Sequence, residues 1–321
     1  MLSRVADSAY WLSRYLERAE HTARLGDVCL SLTLDRSPGA VRRLMATLGT
    51  APSGDGVARE PAVDSALPAG LAGDDRLDLA HRDAIAACVA AARENARQVR
   101  EQISSEMWEQ LNRMYLQVRH GYQNGLGMHG SEFYRYVKEA AHTFQGVTDS
   151  TMIHGEGWHY IQIGRFIERA SMTATMLEVH FRDKRAEDGH GIGAYVEWVG
   201  LLRSCSAFEA YCRCYTADIR PERVAEFLLL NADFPRSVRF AVDGVEASLR
   251  AIARALGRSS AGRVDRLAGR LRASLDYTQI DEIMADSLQS YVQGIRRQCE
   301  QVHIVLYQTY MRYSLESAIA S

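Results

Sequence analysis

Arg14-Tyr15-Leu16-Glu17-Arg18-Ala19 returns, barely altered, as Arg165-Phe166-Ile167-Glu168-Arg169-Ala170. The likeness continues: Thr22-Ala23 matches Thr173-Ala174, and Leu25 matches Met176. Over the twelve positions starting at each arginine, six are identical and three more are conservative. The offset of 151 residues (165 − 14) is close to half of the 321-residue chain. The pattern therefore reads as an internal duplication, with halves of about 1–150 and 151–321 inside a single domain. On a helical wheel Glu17 and Arg18 fall at about 300° and about 40° from Arg14, so the three charges share one face. Leu12, Tyr15, Leu16, Ala19 and Ala23 take the opposite face.

Outward from the repeat, the dominant signal is helix. The chain has six prolines, four of them before position 70, which leaves long segments free of the strongest helix breaker. The spacing predicts helices over 2–30, 131–145, 156–183, 194–216, 221–230, 235–256, 261–275 and 279–318. From Leu77 to His120 there is neither Gly nor Pro. Ile85, Cys88, Val89, Ala92, Ala96, Val99 and Ile103 recur there at three- and four-residue steps, a core stripe. A break is expected near Ser104-Ser105, where serine competes for backbone hydrogen bonds. Pro221 and Pro235 suit the first turn of a helix, and Thr278-Gln279-Ile280-Asp281 resembles a capping box. Gly121–Gly130 and 188–193 read as turns, and 49–76, with Pro52, Pro61 and Pro68, as a mobile loop. No strand alternation stands out, so the fold class is all-α: a helical bundle of two duplicated halves, expected to be related by a pseudo-twofold axis.

Composition excludes several function classes. Lys and Arg number 38 against 40 Asp and Glu, a formal charge of −2, so no electrostatic footprint for nucleic acid or anionic membrane shows. The longest uncharged apolar stretch, Ala84 to Ala92, has nine residues and is about half of what a membrane span needs. The first residues lack a secretory apolar region, so a cytoplasmic location is expected. Cys29, Cys88, Cys205, Cys212, Cys214 and Cys299 are too sparse for a disulfide framework, lack a Cys-x-x-Cys pair, and read as buried free thiols.

The charged face of the repeat carries the functional question. In the first copy Asp7, Tyr10 and His21 join Arg14, Glu17 and Arg18, and alone this is an ordinary amphipathic helix with a solvated side. In the second copy Arg165, Glu168 and Arg169 are flanked by Trp158, Ile161, Met172 and Met176. The other side carries Tyr160, Ile163, Phe166, Ile167, Ala170 and Ala174. A helix apolar all round is a buried helix, and buried charges are costly unless paired. Facing copies bring six charges together with a net +2, an arrangement that attracts an anion: a further carboxylate of the chain, a phosphate or a substrate carboxylate. A glutamate-bridged packing lock and an interaction surface remain open beside the anion site. Tyr10, His21, Trp158 and His154 are secondary candidates.

Longer stretches resemble a known family. Ala6 through Glu20, with Tyr10-Trp11 and the Glu17-Arg18 pair, is similar to the opening of the alpha-E family, bacterial all-helical proteins named for a Glu-Arg motif. Arg93-Glu94-Asn95-Ala96-Arg97 with Val99-Arg100-Glu101, Trp108 and Asn112 resembles its second signature. Gly155-Glu156-Gly157-Trp158 leading into Gly164-Arg165 resembles the third, and Glu226 through Asn231 with Pro235-Arg236-Ser237-Val238 the fourth. The stretch 49–76 departs from the family pattern. The resemblance implies association with circularly permuted ATP-grasp ligases and transglutaminase-like peptidases, and a role in ATP-dependent peptide synthesis or modification, an amide ligation. It implies a peptide or small carboxylate as substrate, and its Glu-Arg positions fall on the six motif charges named above.

Other chemistry is weaker. His154, Glu156 and His159 do not match a metal-site spacing, so no metal is expected, nor any cofactor. No phosphate loop, nucleophile elbow or Walker pattern is present. Glu17 and Glu168 as an acid/base pair would need one carboxyl raised by burial, which neighbouring arginines oppose. Two functions follow: a helical accessory protein that presents an anionic substrate to a ligase, or an enzyme catalysing acyl or peptide transfer at the Arg/Glu cluster. Self-association is left open.

Overall fold

A computed structural model describes residues 3–34, 37–48, 73–123, 130–182, 192–216, 218–257 and 262–311. Among the described residues there are thirteen α-helices and no strand. The two repeat-bearing helices, α1 (Ser3–Leu34) and α6 (Glu156–Arg182), lie against each other at the centre. On α1 pack α2 (Pro38–Leu48), α3 (Gly73–Gln98) and α5 (Gly130–Thr151), with α4 (Ser105–Gln123) bridging α3 and α5. On α6 pack α10 (Val238–Ala255) and α13 (Leu288–Leu306), with α11 (Arg263–Tyr277) between them. The shorter α7 (Ile192–Ser204), α8 (Phe208–Tyr215), α9 (Pro221–Leu230) and α12 (Ile280–Asp286) complete the set, and the last described residues, Tyr307–Met311, form a π-helical turn. Buried apolar side chains form one cluster reaching from Ala6 to Met311.

The central placement of α1 and α6 follows from their composition. Small residues let the two backbones approach closely. A Cβ at Gly164 would overlap Tyr10 O and Ser13 Oγ, so only glycine fits where α6 crosses α1. Tyr10, Leu12, Ala19 and Ala23 of α1 and Ile163, Ala174 and Met176 of α6 are fully buried. The solvated side read for α1 in isolation does not exist in the fold: Arg14 is 4 % exposed, Glu17 1 % and Glu20 0 %. The reading of α6 as a buried helix containing charges agrees with Glu168 at 0 % and Arg169 at 4 %.

Several boundaries differ from expectation, each for a local reason. The segment 194–216 is two helices, because Ser206 turns the chain with φ 51° and Ala207 N bonds back to Leu202 O at 2.7 Å. The segment 279–318 breaks at Ser287, extended at φ −172°, whose Oγ accepts from Ser290 N at 3.3 Å and starts α13. Pro221 does open α9, but Pro235 stands outside α10, whose cap is Ser237, with Oγ accepting from Phe240 N at 3.0 Å. The capping pair of α12 is shifted by one residue: Glu282 Oε2 accepts from Gln279 N at 3.1 Å. The expected break after α3 is found, with Ser104 Oγ accepting from Met107 N at 3.1 Å. Of the stretch read as a loop at 49–76, residues 49–72 lie outside the described residues, and 73–76 are helical, opening α3. The turns read at 121–130 and 188–193 fall largely outside them too, although α4 runs on to Gln123 and α7 starts at Ile192. All six cysteines are free, and Cys214 is exposed rather than buried.

Candidate functional site

The charges of the repeat pair across the α1–α6 contact, each glutamate binding arginine of the other copy. Glu168 accepts from Arg14 Nε and from Arg18 Nε, both at 2.7 Å. Glu17 accepts a two-pronged pair from Arg169, Nε to Oε1 at 2.6 Å and Nη2 to Oε2 at 2.8 Å. Hydrogen-bonded, fork-shaped pairing of this kind is what makes a buried carboxylate tolerable. Burial alone would raise the Glu168 carboxyl, but the Arg14 and Arg18 guanidiniums outweigh it and hold it down to about 2. Glu17 is likewise held low: Arg169 and Arg236 outweigh the effect of burial.

On the Glu168 side, two guanidiniums share one carboxylate, and aromatic faces take up the excess. The Arg14 guanidinium lies 4.7 Å from the Trp11 ring centre and 5.5 Å from that of Tyr10, and Arg18 lies 5.8 Å from Tyr15. Arg14 Nη1 also donates to the Tyr10 hydroxyl at 3.2 Å, which is in turn 2.8 Å from His303 Nδ1 on α13. Burial, only partly opposed by Arg14, pushes the Tyr10 hydroxyl up to about 12. Tyr10 is therefore a neutral link between the cluster and α13.

On the Glu17 side, the chain brings charges that the repeat does not contain. Arg236, fixed between the Asn231 turn and the Ser237 cap, reaches Glu17 Oε1 at 3.5 Å and Glu20 Oε2 at 2.7 Å. Glu20 also binds Arg24 and lies 3.3 Å from His142 Nε2. Arg169 Nη1 donates to Pro235 O at 3.1 Å and Thr173 Oγ1 to Arg236 O at 3.0 Å, so the α9–α10 connection is tied to α6. His21 is enclosed here; burial and Arg236 push its imidazole down to about 4. Arg236, Glu20 and Arg24 are absent from the six-residue candidate set. Glu20 and Arg24 carried a signal, standing one and two turns beyond Glu17, whereas nothing in the repeat points to Arg236.

Arg165 is the member that the cluster leaves out. No carboxylate lies within bridging distance of it among the described residues. Nη1 donates weakly to Gln162 Oε1 at 3.5 Å, and the buried Nε has no partner. Burial first, then Arg169 and Arg236, push its guanidinium down to about 10, against the opposing pull of Glu17 and Asp149. Beside it is a cavity of about 20 Å³ lined by Ser13, Leu16, Phe144, Gln145, Thr148, Ile161, Gln162 and Arg165. The secondary candidates Trp158 and His154 lie outside the ion-pair cluster. They stack at 4.2 Å outside the cavity lining, where Trp158 Nε1 donates to Asp149 Oδ1 at 3.2 Å. Gln162 Nε2 reaches the same oxygen at 3.4 Å. Among the described residues no group of three or more His, Cys, Asp or Glu is placed to hold a metal. No described helix is long and apolar enough to cross a membrane.

Uncharacterized proteins of Mycobacterium bovis and of two strains of Mycobacterium tuberculosis are each 26 % identical to this chain over 309 residues. These alignments cover 89 % of this chain but 34 % of each relative, so the chain spans about a third of the length of the curated relatives it matches. No solved structure matches. A family model described as a predicted alpha-helical domain with a conserved ER motif matches residues 1–311, and the chain belongs to that family, Alpha-E.

Proposed function

We propose that the chain is a helical accessory module of an ATP-grasp-linked peptide synthesis or modification system, in which Arg165 receives an anionic group of the substrate. The observation that carries this reading is the contrast between Arg165 and its five partners in the repeat. Arg14, Glu17, Arg18, Glu168 and Arg169 are ion-paired with one another, while Arg165 has no carboxylate partner among the described residues, keeps a buried Nε without a hydrogen bond, and lines a small cavity. Holding a desolvated cation unpaired is unfavourable for the fold, and an incoming anion removes that cost. The accessory role rests on the resemblance described above. The relatives also devote about two thirds of their length to other sequence, which fits a module that works beside further domains.

Reciprocal pairing, Arg18 to Glu168 and Arg169 to Glu17, supports a local twofold relation between the copies. Ser13 and Gly164, which precede the two motif arginines, also meet at the crossing. The relation fails at Arg165, whose symmetry-related place beside Glu17 is taken by Arg236. That failure frees Arg165 for a ligand.

The enzymatic alternative asks for a base or nucleophile in the cluster. Glu168, held down to about 2, is a poor base. Burial raises the Cys88 and Cys205 thiols to about 11 and about 12, away from a reactive thiolate. Thermal melts in acetate, phosphate and chloride at matched ionic strength test the accessory reading. Acetate or phosphate should stabilise wild type and leave Arg165→Met unmoved; equal shifts in both proteins would remove Arg165 as the site.

A further inference from the structure

We infer that the group Arg165 receives is the zwitterionic head of an α-amino acid, its carboxylate on Arg165 and its ammonium on Asp149. This rests on the reading of Arg165 as an anion site and adds the class of ligand. Three observations on the α5–α6 seam lead to it.

The first is the free edge of the guanidinium. Only Nη1 of Arg165 is engaged, so Nε and Nη2 present two parallel N–H groups, the arrangement that matches the two oxygens of a carboxylate. The second is size and charge. The cavity of about 20 Å³ admits about one water-sized group, the size of a single carboxylate oxygen. The ionised groups acting on Arg165 are Arg169, Arg236, Glu17 and Asp149. Glu17 is already taken by Arg169 and Arg236, so of these carboxylates Asp149 is the one left to hold a cationic group beside an anion on Arg165.

The third observation is an opposite charge linked to Arg165 through Gln162. Gln162 spans from Arg165 to Asp149, accepting from one and donating to the other. Both side-chain donors to the Asp149 carboxylate fall on Oδ1, which leaves Oδ2 of this exposed residue without either of them. The stacked Trp158 and His154 rings stand beside it, an aromatic wall that favours a cation. A guanidinium and a carboxylate held one glutamine apart complement a molecule carrying both charges on one carbon.

Titration calorimetry with glycine, acetate, glycinamide and inorganic phosphate, on wild type, Asp149→Asn and Arg165→Met, tests this. Glycine should bind more tightly than acetate. Asp149→Asn should weaken glycine about five-fold, the upper range for a solvent-exposed ion pair, with acetate nearly unchanged. Arg165→Met should abolish both. Equal affinity for glycine and acetate, or preferential binding of phosphate, overturns the amino-acid inference while leaving the anion site standing. Absence of binding by every anion overturns both.

Discussion

Ser13 and Gly164, the residues directly before the two motif arginines, meet where α1 and α6 cross, and a side chain on Gly164 would strike Tyr10 O as well as Ser13 Oγ. Because one of the obstacles is backbone, rotation of a side chain cannot relieve the overlap. Gly164→Ala should therefore destabilise the protein by about 1–3 kcal/mol, the usual range for overpacking a closely fitted site. Urea denaturation checks it. Adding Ser13→Gly should recover only part of the loss, since Tyr10 O stays in place.

Among the described residues Glu168 is the sole carboxylate bound to Arg14 and Arg18, so its removal strands two cations on the other helix rather than the arginines of its own turn. Glu168→Ala should cost about 3–5 kcal/mol, a large share of a typical stability of about 5–15 kcal/mol. A midpoint shift no greater than that of a surface substitution would mean that the cluster is solvated.

Acid should unfold the protein in two stages. Burial and Arg236 hold His21 to about 4 against 6.5. Between those values the unfolded chain binds a proton that the folded chain refuses, so stability falls as pH drops from about 6.5 towards about 4. Glu168, held to about 2 against 4.5, acts in the same direction further down: its contribution is complete above about pH 4.5 and is lost towards about pH 2. His21→Gln should flatten the upper stage alone. Denaturant midpoints measured between pH 7 and pH 3 for both proteins decide whether it does.

Much of this was legible in the sequence because it depends on periodicity. The shared face of Arg14, Glu17 and Arg18, the apolar surroundings of Arg165–Ala170 and the span Pro221–Leu230 all follow from local spacing. What spacing cannot give is the choice among partners. Glu17 had several arginines within reach in principle, and selects Arg169 and Arg236 because the α9–α10 connection, capped by Ser237, delivers Arg236 into the cluster. That displacement leaves Arg165 unpaired, a consequence of tertiary packing that the repeat conceals. The breaks at Ser206 and Ser287 were missed for a different reason: neither Gly nor Pro marks them, and they depend on backbone turns and a serine cap.

The cluster divides into a paired set and one unpaired cation, and the stabilities of Arg165→Met and Arg169→Met measured side by side distinguish the two. Arg169→Met should lose about 3–5 kcal/mol, because Glu17 is deprived of its two-pronged partner. Arg165→Met should gain about 1–2 kcal/mol in ligand-free buffer, because a desolvated charge is replaced by an apolar chain of similar length. A loss from Arg165→Met as large as that from Arg169→Met would mean instead that Arg165 is as firmly paired as the rest and is no vacant anion site.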